Sequence, residues 1–202
     1  RDPLREFDFV GFTLQYELSF TAVLHMLDLA GLPLRAADRD DNCPLVIAGG
    51  PCACNPEPLA DFIDLFMLGE GEEVSLELME LYRRHKAKGF CRRAFLREAA
   101  EIEGVYVPSL YDVSYHEDGT VAAITPLDGV RPTVRKRIIL DMDRVYYPEY
   151  FVVPFIDIVH DRAMSEIFRG CIRGCRFCQA GMIYRPVREK NVERLKELAY
   201  KM

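Results

Sequence analysis

No apolar run in these 202 residues reaches the roughly 20 needed to cross a bilayer, and FVVPFIDIV at 151–159 is both shorter and interrupted by Pro154 and Asp157. The opening segment RDPLREFDF lacks the apolar stretch and cleavage pattern of a secretory signal. Low-complexity tracts and repeats are missing too. Seven cysteines exclude a complete intramolecular disulfide set, and a reducing, cytoplasmic setting is the economical expectation. There is no GxGxxG opening a helix after a strand, since GEGEE has its glycines in the wrong order and Gly49–Gly50 runs into Pro51; a nicotinamide dinucleotide site is not expected on that ground. HExxH is also absent, so His116, Asp118, Asp141, Asp143, Asp157, His160 and Asp161 read as turn and surface ion-pair residues. His25 and His85 fall within helical patterns without partners at metal-ligand spacing.

What remains is a soluble, folded chain, half of it hydrophobic, long enough for one substantial core and part of a second. FVGFTL at 9–14 and LVIAGG at 45–50 are short apolar runs without interior charge, as expected of strands buried on both faces of a parallel sheet. Between them SFTAVLHMLDLAG has helical periodicity, with Ser19 or Thr21 to cap it and Gly31 to end it. Residues 35–44 are polar enough for a surface turn. A short helix from Pro56 to Phe62, capped by Asn55, leads to a strand at 63–68, and GEGEE opens a longer helix with Val74, Leu78, Leu81 and Tyr82 on one stripe. Three strand–loop–helix units in succession predict a doubly wound, Rossmann-like αβα layer.

Such sheets bind ligands beyond the carboxyl ends of their strands. Gln15, Tyr16 and Glu17, Gly49 to Asn55, and Gly69 to Glu72 should therefore gather at one edge. Only Ala53 separates Cys52 from Cys54, which fits neither CxxC redox chemistry nor a zinc knuckle. From residue 91 the pattern changes: a helix over CRRAFLREAAEI ends at Gly104, and YDVSYHEDGTVAAI predicts a hairpin turning at Glu117, Asp118 and Gly119.

The segment most able to do chemistry is RGCIRGCRFCQAG. Cys171, Cys175 and Cys178 put three thiols within eight residues, flanked by Gly170, Gly174 and Gly181, so one loop can meet one inorganic centre. AMSEIF at 163–168 is the strand expected to deliver it. Soft thiolates suit iron–sulfur, zinc or copper, and a structural zinc normally takes a fourth protein ligand that no short-spaced Cys or His supplies. On spacing alone an open iron–sulfur site and another metal arrangement both stand. The formal charge is −6, which excludes a uniformly basic nucleic-acid surface, yet Arg162, Arg169, Arg173, Arg176, Arg185, Arg188 and Lys190 crowd the C-terminal part.

The intact CxxxCxxC, Phe177 immediately before its last cysteine, and the segments FTLQYELSFT, LVIAGGPCACNPEPLADF, GEGEE and IFRGCIRGCRFCQAGMIYRPVRE together resemble the radical S-adenosylmethionine superfamily. Within it they resemble an uncharacterised subgroup with a cobalamin-binding-like domain in front. The resemblance implies an αβα domain at 1–90 trimmed at its start, a β-rich bridge at 91–161, and the incomplete start of a β/α barrel at 162–202. It implies that Cys171, Cys175 and Cys178 hold three irons of a [4Fe-4S] cluster, with Phe177 beside the cofactor. It further implies that an electron from a donor such as flavodoxin or ferredoxin cleaves S-adenosylmethionine to a radical that abstracts hydrogen from a substrate, RNA and other anionic molecules being candidates. A cobalamin-ligating DxHxxG is absent, so the resemblance supports the front fold and leaves cobalamin open. The alternatives are a non-catalytic cofactor- or partner-binding module and a structural zinc protein.

Overall fold

The computed structural model describes residues 2–201 except 149–151, 153, 160, 161 and 163, so His160, Asp161 and the first residue of the expected AMSEIF strand lie outside the described residues. Two compact units divide between Ile138 and Ile139.

In the first unit the elements run β1 (Phe9–Thr13), α1 (Phe20–Leu29), β2 (Leu45–Gly49), β3 (Leu65–Met67), α2 (Gly71–Ala87), α3 (Arg92–Ala99), β4 (Val105–Tyr106), β5 (Tyr111–Tyr115) and β6 (Val121–Pro126). The main sheet has the order β1-β2-β3-β4. Its first three strands are parallel and β4 is antiparallel to β3. Alternation along each strand feeds two cores. Leu45, Ile47, Leu65 and Val105 pack with Val74, Leu78 and Leu81 of α2 and Phe95 and Ala99 of α3. Val46, Ala48, Phe66 and Tyr106 face the other way, onto Val23 and Leu27 of α1 and onto Cys52, Leu59 and Ile63. Helices on both faces of an open sheet are the αβα architecture that the apolar runs predict. β1 departs from full burial, because it is an edge strand in the described sheet and Gly11 and Thr13 are exposed.

The expected helix over 56–62 is instead one 3₁₀ turn, Glu57–Leu59, and Asn55 closes the preceding 3₁₀ turn, Pro51–Cys54, rather than capping an α-helix. Ser19 precedes α1, but its hydroxyl bonds back to the Tyr16 carbonyl instead of capping the helix. α3 is capped from afar: the Asp41 carboxylate accepts the Arg92 backbone N–H at 2.6 Å. Asp41→Ala is expected to lower stability by about 1 kcal/mol in urea titration, and an unchanged midpoint would show that this bond contributes nothing. The hairpin forms as expected, with Val113 opposite Ile124 and Asp118 accepting the Thr120 N–H and hydroxyl in the turn.

The second unit contains β7 (Phe168–Arg169), α4 (Ala180–Ile183), β8 (Arg188–Glu189) and α5 (Val192–Lys201). The strand expected over 163–168 is confined to β7 and pairs antiparallel with β8, the chain returning from the cysteine loop. Ile139, Met142 and Val145 form a small core of their own. The Asp143 carboxylate accepts the Asn191 N–H, and the Asn191 side chain accepts that of Glu193 at the start of α5. No helix among the described residues is long and apolar enough to cross a membrane.

Candidate metal centre

At the carboxyl edge of the main sheet, the first two of the three segments named from the sequence do meet. Leu14 N–H donates to the Gly49 carbonyl, and Cys52 N–H donates to the Leu14 carbonyl at 3.0 Å. Burial first, then the Glu17 carboxylate, pushes the Cys52 thiol pKa up. Burial raises Cys54 as well, which favours the protonated thiol at both positions.

The third segment meets another part of the chain. Gly69 has φ +99°, and a Cβ there would lie 2.2 Å from the Arg137 carbonyl oxygen. The two residues form a parallel bridge, with Arg137 N–H on the Leu68 carbonyl at 2.7 Å and Glu70 N–H on the Arg137 carbonyl at 3.0 Å. The Arg137 guanidinium then reaches Glu73 and Glu77 one turn apart on α2, at 2.8 and 2.5 Å. GEGEE thus receives a strand-like segment from far downstream; the sequence shows the glycines but not the backbone they admit.

In the second unit the cysteine loop leaves β7 and returns through α4 to β8. Gly170 makes the entry, with φ +99° and room for no side chain: a Cβ would lie 2.5 Å from the Pro186 carbonyl oxygen. Within the loop Arg173 N–H points at the Cys171 sulfur, 3.4 Å away, and Cys178 N–H donates to the Cys175 carbonyl. Arg185 sends one guanidinium N–H across the loop to the Arg173 carbonyl at 3.1 Å. Cys171 and Cys178 are half-buried, while Cys175 and Phe177 are exposed.

Basic residues flanking the loop are held in place rather than solvated. Arg188 is buried and donates to the carbonyls of Pro186, Ile139 and Tyr184. Glu166 accepts Arg169 at 2.7 Å and buried Lys190 at 3.2 Å, and these bonds hold its carboxyl below the ordinary range. The same ladder that pairs β7 with β8 therefore closes both ends of the loop.

All seven cysteines are free thiols. Among the described residues, no three His, Cys, Asp or Glu side chains are gathered closely enough to hold a metal ion, so the trio shares a loop without converging in this conformation. The donor set nevertheless fits an iron–sulfur group. Its three sulfurs are soft donors in one loop, one already faces a backbone amide, and Gly174 has open space around it in which the loop can turn.

Residues 1–108, which carry the main sheet and its helices, match the family described as Radical SAM proteins, N-terminal. The chain belongs to that family. The matched region ends before the cysteine loop, but a relative reaches over it: the uncharacterized protein MJ0966 of Methanocaldococcus jannaschii is 31% identical over 202 residues, an alignment that takes in 98% of this chain. The chain spans 36% of that protein's length. Family membership agrees with the mixed α/β architecture and its open sheet.

Proposed function

We propose that this chain is the front part of a radical S-adenosylmethionine enzyme, in which Cys171, Cys175 and Cys178 hold a [4Fe-4S] cluster. The observation that carries the reading is the loop itself: three free thiols at CxxxCxxC spacing, anchored at both ends, in a chain of this family. When bound and reduced by an external electron donor, the cluster would supply the electron that reductively cleaves the carbon–sulfur bond of S-adenosylmethionine.

The chain's own residues have definable parts in this reading. Each of the three cysteines gives up its Sγ proton on ligation. Arg173 N–H donates to the Cys171 sulfur and stabilises its negative charge. Phe177, exposed beside the last ligand, offers a ring face to the adenine. Arg173 and Arg176 add positive charge that draws an anionic substrate or favours the reduced cluster.

Anaerobic reconstitution of the full-length protein with iron and sulfide, followed by EPR with and without S-adenosylmethionine, tests the reading. The expected result is a reduced cluster signal that changes when the sulfonium compound is added. Cys175→Ser should abolish cluster assembly while the first unit stays folded by circular dichroism. A Cys175→Ser protein with undiminished iron and sulfide defeats the ligand assignment, and stoichiometric zinc on all three thiols of the wild type favours a structural site instead.

A further inference from the structure

Cys171 to Cys178 is secured at its ends by β7 and β8, but its middle needs a tie of its own. Arg185 provides one from outside the loop. It stands just after α4, where its backbone N–H donates to the Met182 carbonyl, and its Nη2 bridges 12 residues back to the Arg173 carbonyl at 3.1 Å. Arg173 is also the residue whose N–H faces the Cys171 sulfur at 3.4 Å. One guanidinium therefore fixes the residue whose amide donates to a candidate ligand sulfur.

From this geometry we infer that Arg185 is a positioning residue for the cysteine loop, holding Arg173 so that its amide serves Cys171; the inference rests on the cluster reading above. The bond has two physical consequences. It gives the Arg173 carbonyl a charged donor within the loop. It also restricts the backbone at a residue next to Gly174, where a Cβ would meet no atom within 4 Å. Ligand-orienting partners of this kind are worth about 10–100-fold in metal affinity.

The test compares full-length wild type, Arg185→Met and Arg185→Lys after anaerobic reconstitution. It reads iron and sulfide per chain, the rate of iron loss to a chelator, and the EPR line shape of the reduced cluster. Arg185→Met keeps the aliphatic stem without the donors, and it should lose iron about 10-fold faster with an altered line shape, its metal-free unfolding midpoint unchanged. Arg185→Lys, which can still donate to one carbonyl, should recover most of the retention.

Iron retention in Arg185→Met within about twofold of wild type would overturn the inference. So would a collapse of the metal-free fold in Arg185→Met that Arg185→Lys repairs without restoring iron, since that marks a general structural role. A wild-type protein that forms no cluster defeats the underlying reading and this inference with it, whereas a wild-type cluster indifferent to Arg185 defeats the inference alone.

Discussion

Replacing Gly69 with alanine is expected to destabilise the first unit by about 3–5 kcal/mol, because the substitution meets two penalties at once. At φ +99° an L side chain is strained whatever its surroundings, and here the surroundings are backbone: the new Cβ would lie 2.2 Å from the Arg137 oxygen and 2.7 Å from its nitrogen. Neither atom can rotate away. Relief requires the 134–138 segment to lift off the end of β3, which breaks the bonds to Leu68 and Glu70 and draws the Arg137 guanidinium from Glu73 and Glu77. Gly89 provides the control, since its φ is +92° but no atom lies within 4 Å of where its Cβ would be. Gly89→Ala should therefore cost only the conformational part, about 1 kcal/mol. Urea unfolding of the two variants beside wild type separates the terms. Equal losses would mean that the Arg137 segment yields freely and that close backbone approach is not what requires glycine at position 69.

That pair of glycines also shows what a sequence makes legible and what it conceals. Local periodicity carried far: LVIAGG became β2 with Leu45 and Ile47 in one core and Val46 and Ala48 in the other, and the stripe Val74, Leu78, Leu81 became the buried face of α2. The hairpin and its Asp118–Gly119 turn were readable for the same reason, since each depends on neighbours in sequence. Contacts between distant segments were not. Residues 35–44 are charged and suggest a surface turn, yet Arg39 within them is buried against Asp64. GEGEE suggests a ligand loop, yet Gly69 admits a backbone segment supplied by VRKRIIL. At the cysteine loop the spacing announces the donor atoms, while the arms that secure it, Arg185 on Arg173 and Lys190 on Glu166, come from residues that composition alone marks only as a basic stretch.

The Arg39–Asp64–Arg92 group is where this concealment has the largest energetic consequence. Asp64 stands just before β3 with its side chain out of water; its Oδ2 accepts the Val46 N–H at 2.7 Å and Arg39 Nη1 at 3.1 Å. Its Oδ1 lies 3.0 Å from Arg92 Nη1 as an ion pair without hydrogen-bond alignment. Burial pulls the Arg39 pKa below its ordinary value while Asp64 pushes it back. Both guanidiniums spend further donors on carbonyls, Arg39 on Pro33, Leu34 and Phe62 and Arg92 on Asp40, Cys43 and Pro44. One carboxylate thus balances two buried cations and ties the segment before β2, the start of β3 and the N-terminus of α3 into one block. Asp64→Asn preserves shape and an acceptor for Val46 but leaves the two cations facing each other. It should cost about 3–5 kcal/mol, because breaking a buried pair from one side leaves its desolvation uncompensated. Thermal and urea unfolding measure the loss. Replacing Arg39, Asp64 and Arg92 together with Met, Leu and Met should not recover it, since the Val46 N–H and the six carbonyls these side chains serve would lose their partners. If Asp64→Asn instead unfolds within about 1 kcal/mol of wild type, water already reaches these guanidiniums and the carboxylate is not what holds the three segments together.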